Sequence, residues 1–144
     1  MLYINIILLI ILTYTIADDF LNFRIRNEVI IILIFLVIIK FLISNVEDKA
    51  LFHILYATLI FFIIVLIYSL GMFGGGDAKL LAIAFFWFSE NQWFNFYKDL
   101  MIVTLIYSLV AYFKLIPLQK TEKGTRMPYG PCICIAWAIN LVYI

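Results

Sequence analysis

An all-α bundle of about six transmembrane helices is the fold this sequence predicts, on three observations. The 144 residues are 67% hydrophobic and only 13% charged, where a soluble domain carries roughly a quarter charged residues. Mean hydropathy is +1.13, so the natural solvent for this surface is lipid. The apolar residues also fall into runs separated by polar punctuation. At this length there is no room for a second, water-soluble domain, and residues 1–144 read as one transmembrane unit.

The first run spans 2–17 and ends at Asp18-Asp19. Met1-Leu2-Tyr3 lacks the basic start of a signal peptide, and further apolar runs follow, so this run reads as an uncleaved first span. The second run is Val29 to Ile43, closed by the polar stretch Ser44 to Lys49. The third, Leu51 to Leu70, is the clearest full-length span. The breaker cluster Gly71 to Gly76 with Asp77 follows. The fourth run, Ala78 to Phe88, is short against the roughly 20 residues of a full crossing. The fifth is Leu100 to Ile116, ended by Pro117 and the basic stretch Lys120 to Arg126, and the sixth is Tyr129 to Ile144. Trp87, Trp93, Tyr97 and Tyr129 lie near run ends, where aromatic belts account for them.

Lysine and arginine set the orientation. The loops after runs one, three and five hold seven of them: Arg24, Arg26, Lys79, Lys114, Lys120, Lys123 and Arg126. The other two loops hold three: Lys40, Lys49 and Lys98. The richer side is cytoplasmic by the positive-inside rule, which leaves both termini outside. Asp19 and Asp77 then share the cytoplasmic face of the cell membrane. A net charge of +1 gives no general attraction to nucleic acid.

Asp77 follows Gly74-Gly75-Gly76, and glycines allow both positive φ and close backbone approach. Two readings stand: a helix N-cap, or a carboxylate presented for chemistry. The three glycines favour the second, because a carboxylate at membrane depth is costly and tends to be kept for a task. Asp18 and Asp19 read either as a solvated interfacial pair or as a source of one partner for Asp77. Two facing carboxyls suffice for peptide hydrolysis: one, ionised, takes a proton from water, and the other, protonated, polarises the scissile carbonyl. Other chemistries lack parts. His53 is the lone histidine and reads as interfacial or packing. Cys132 and Cys134 read as small apolar fillers. No cofactor or metal site is expected.

Gly74-Gly75-Gly76-Asp77-Ala78-Lys79-Leu80 resembles the Gly-x-Gly-Asp-x-Lys-Leu signature of type IV prepilin peptidases, a family that takes in the archaeal preflagellin peptidases and those of tight-adherence pili. Asp19 to Asn27 is similar to the family's Asp-x-x-x-x-(Arg/Lys)-Ile-Pro-Asn, with Arg26 in place of proline. Met127-Pro128-Tyr129-Gly130-Pro131 is similar to the stretch before the family's last span. The resemblance implies a membrane aspartic endopeptidase with Asp19, rather than Asp18, paired to Asp77. Gly74 and Gly76 would shape the Asp77 loop, and Lys79 matches a family position whose role is open. The implied partner is a prepilin-like or preflagellin-like precursor in the membrane, cut after its short basic leader. The cysteine-rich loop of the longer, methylating enzymes is missing, so N-methylation is not expected. Two rival readings use the same aspartates or none: a small ion-coupled transporter, against which no repeat is visible, and a non-catalytic scaffold of a pilus or secretion assembly.

Overall fold

The computed structural model describes residues 2–43, 50–71, 74–113, 115–116, 119–121 and 124–142. Met72, Phe73, Pro117, the stretch 44–49, and Lys114 and Lys123 of the charge count lie outside the described residues. Six helices carry the fold: α1 Leu2–Asn22, α2 Asn27–Ile43, α3 Ala50–Ser69, α4 Gly75–Trp87, α5 Glu90–Tyr112 and α6 Gly130–Val142. One addition to the helical frame is an antiparallel hairpin, β1 Gln119–Thr121 with β2 Gly124–Arg126, in the register Gln119 to Arg126.

Two boundaries differ most from the sequence expectation, and α4 also starts at Gly75, inside the glycine cluster, while α5 ends at Tyr112, short of Ile116. Helix α1 runs through Asp18 and Asp19 to Asn22, because nothing in Ala17 to Asn22 breaks a helix. Helix α5 begins at Glu90, ten residues before the apolar run. Its polar first turns hide it from a hydropathy reading, yet the Ser89 backbone N–H donates to Gln92 Oε1 at 3.0 Å, a capping-box contact that fixes its start.

Helices α4 and α6 form the inside of the molecule. Each is only 13 residues long, about 20 Å at 1.5 Å per residue. Helix α4 packs against α2, α3 and α6, while α6 packs against α1, α4 and α5. Trp137, Phe88, Phe96, Leu80 and Ile133 are fully buried between them, and both cysteines are buried and free. The outer faces of α2, α3 and α5 expose Phe35, Phe62, Leu66 and Leu105, an apolar exterior suited to a non-aqueous surrounding. Among the described residues, Leu2–Asn22 and Asn91–Tyr112 are long and apolar enough to cross a membrane.

A helix that stops inside an apolar structure leaves carbonyls in need of donors. At the end of α4 the Phe88 N–H serves the Ala84 carbonyl. The Trp93 indole N–H reaches the Phe85 carbonyl at 3.0 Å and the Phe88 carbonyl at 2.9 Å. His53 Nε2 meets the Phe86 carbonyl at 3.3 Å, and Lys40 Nζ donates to the Trp87 carbonyl. Lys40 also stands 4.4 Å over the Trp87 ring, and the His53 ring lies against Phe41 and Trp93. The packing role read for His53 is therefore specific: it helps close α4.

Candidate active site

Asp19 lies in the last turns of α1 and is only 3% exposed. The chain leaves the helix at Phe23, whose φ of 51° is left-handed and whose N–H donates to the Asp19 carbonyl at 2.9 Å. This turn is a helix-closing conformation usually given to glycine. Arg26, where the similar family has proline, holds the connection by side-chain contacts instead. It donates to the Tyr14 hydroxyl at 3.2 Å and pairs with Glu28 at 3.0 Å. Asp18 turns aside and accepts from Asn22 Nδ2 at 2.6 Å.

Asp77 is the third residue of α4. The N-cap position belongs to Gly74, in extended conformation and with no side-chain capping bond, so the N-cap reading of Asp77 does not hold. The glycines serve close approach rather than positive φ. A Cβ on Gly74 would stand 2.7 Å from Asp77 Oδ2, and one on Gly76 would stand 3.0 Å from Ile25 Cβ. Gly71 is the positive-φ glycine among the described residues.

The third motif meets the first directly. Gly130 opens α6, and its N–H, one of the donors a helix start leaves free, donates to Asp19 Oδ2 at 3.0 Å. A Cβ here would fall 2.6 Å from Asp19 Oδ2 and 3.2 Å from Ile25 Cδ1. Ile25 is thus wedged between Gly76 and Gly130 and locks the three segments together. Sequence reasoning singled out neither Ile25 nor Gly130 as a site residue. A lone glycine between Tyr129 and Pro131 was the available signal.

Asp19 and Asp77 line one polar cleft of about 1020 Å³, with Asn27, Gly74, Gly76 and Lys79 also on its walls. Lys79 donates to Asn27 Oδ1 at 3.0 Å, joining α4 to the start of α2. Asp19 Oδ2 accepts the Gly130 N–H, a charge-assisted bond of the kind a carboxylate makes. Among the described residues no donor is seen to reach Asp77. The two carboxyls therefore differ in surroundings, Asp19 having a backbone donor that Asp77 lacks among the described residues. Among the described residues no cluster of three or more His, Cys, Asp or Glu is placed to hold a metal ion.

The model of the type IV leader peptidase family matches residues 6–116, a stretch that includes both aspartates and ends before Gly130. No curated protein and no solved structure matches the chain.

Proposed function

The chain belongs to the type IV leader peptidase family, and from that premise we propose that it is a multi-span aspartic endopeptidase of the cell membrane. It cuts the short basic leader from prepilin-like precursors at the cytoplasmic face and carries no N-methyltransferase activity. The supporting observation is the pair of carboxyls, one from α1 and one from α4, lining a single cleft in unequal surroundings.

In this reading Asp19 is ionised, held by the Gly130 N–H, and takes a proton from the attacking water. Asp77 is protonated and donates to the scissile carbonyl oxygen. It stabilises the charge that develops there, and the leaving amine is later protonated from the dyad. Two desolvated carboxyls close enough to feel each other share one proton more readily than none. Gly74 and Gly76 let Asp77 and Ile25 approach, and Lys79 tethers the catalytic loop to Asn27.

The test is cleavage of a co-expressed precursor, read as leader loss on a gel. Asp19→Asn and Asp77→Asn are each expected to abolish cleavage while the protein still inserts at the parent level. Retained cleavage in either variant would falsify the dyad.

A further inference from the structure

Helices α2 and α3 each pack on α4, and between them runs an apolar groove of about 650 Å³ with α4 as its floor. Ile30, Ala82 and Ile83 are buried along the bottom, while Ile34 and Phe61 stand half-exposed on opposite walls. One end of the groove is formed by Asn27 and Lys79, which also line the polar cleft that holds Asp19 and Asp77. The Lys79–Asn27 hydrogen bond of 3.0 Å is the rim shared by the two spaces.

We infer that this groove seats the first turns of the substrate's apolar helix, with the Asn27–Lys79 rim marking where leader ends and helix begins; the inference rests on the leader-peptidase reading above. A chain passing over the rim changes solvent. On the cleft side, polar side chains and carboxyls meet a peptide that must be extended for its carbonyl to be attacked. On the groove side the lining is apolar, and a backbone at that depth must satisfy its own N–H and C=O groups, which a helix does. The occupant that fits both spaces at once is a polar extended segment joined to an apolar helix. From Ile30 to Ile38 the groove follows α2 for about 12 Å, roughly two helical turns. It thus holds the beginning of such a helix and leaves the remainder to the lipid. The site of cleavage is set by where the substrate becomes helical, and sequence preference within the apolar part is correspondingly loose.

The test uses the full chain in vesicles of phosphatidylethanolamine and phosphatidylglycerol, with synthetic precursors that join a short Lys/Arg leader to an apolar helix of about 20 residues. Ile34→Trp narrows the groove from its exposed wall, and Ile32→Trp adds the same bulk to an exposed position of α2 outside it. Ile34→Trp is expected to lower kcat/KM on the precursor by about tenfold, mainly through KM, and to leave a peptide truncated shortly after the cut unaffected. Ile32→Trp is expected to change neither. A photo-crosslinking residue at position 34 of the Asp77→Asn chain is expected to capture the first turns of the precursor helix. Parent-level precursor cleavage by Ile34→Trp, an equal loss on both substrates, or crosslinks to lipid alone under saturating precursor each overturn the groove assignment while leaving the peptidase standing. A parent chain that cleaves none of the precursors overturns the peptidase reading, and the groove assignment with it.

Discussion

Asp19 and Asp77 carry the same functional group in different surroundings. Gly130 N–H lies 3.0 Å from Asp19 Oδ2. Asp77 has no such donor among the described residues. In the proposed mechanism Asp77 must hold a proton while Asp19 does not. On that reading the singly protonated dyad is the active form, and kcat/KM is expected to fall as rising pH removes its last proton, tending to tenfold per unit. In Gly130→Ala, where the new Cβ meets Asp19 Oδ2, the plateau should drop as well. A stopped cleavage assay across pH 5 to 9 checks both, and a rate that climbs through pH 8 contradicts the assignment of Asp77 as the acid. The aspartates were legible in the sequence because their spacing to Ile25, Asn27 and the glycines is local. Gly130 was not, because its partner lies 111 positions away and only the fold brings them together.

At the scale of elements, α4 shows how a short helix is tolerated in an apolar interior. Its 13 residues were legible as a short run, but the means of ending it were not. The donors come from three other helices: Lys40 on α2, His53 on α3 and Trp93 on α5. Read singly, Lys40 is a charge in a loop count and Trp93 a belt residue, and no periodicity reveals that both serve one helix end. The same blindness moved the start of α5, where Glu90 to Asp99 is polar in composition but helical in fact. The Lys40 contact carries a measurable consequence. Lys40→Met removes a charged donor and leaves the Trp87 carbonyl short of a partner, a loss of about 1–3 kcal/mol. The apparent melting temperature in detergent is expected to fall by several degrees, roughly 5 °C, whereas Lys98→Met on the exposed start of α5 is expected to leave it unchanged. Equal melting temperatures for the two variants would remove the capping role of Lys40.

At the scale of the whole molecule, Asp19, Asp77 and Gly130 meet because helix ends alternate. Asp19 stands at the end of α1, while Asp77 and Gly130 stand at the starts of α4 and α6. In a chain that crosses back and forth, the ends of odd helices and the starts of even ones share a face, so the counting of runs already placed the three segments together. Which side that face looks to is a separate matter of charge, and it rests on seven Lys and Arg against three. Thiol labelling resolves it. The native cysteines are fully buried and react slowly with a membrane-impermeant maleimide, so an introduced thiol reports its own side. Tyr3, 81% exposed at the far end of α1, and Arg24, exposed in the turn that carries the first motif, bracket one crossing. Tyr3→Cys is expected to label in intact cells, and Arg24→Cys only after permeabilisation. The reverse pattern would turn the dyad to the outside, away from the pool of newly made precursors. Labelling of both thiols from one side would mean that α1 does not cross at all, and the shared face would lose its topological basis.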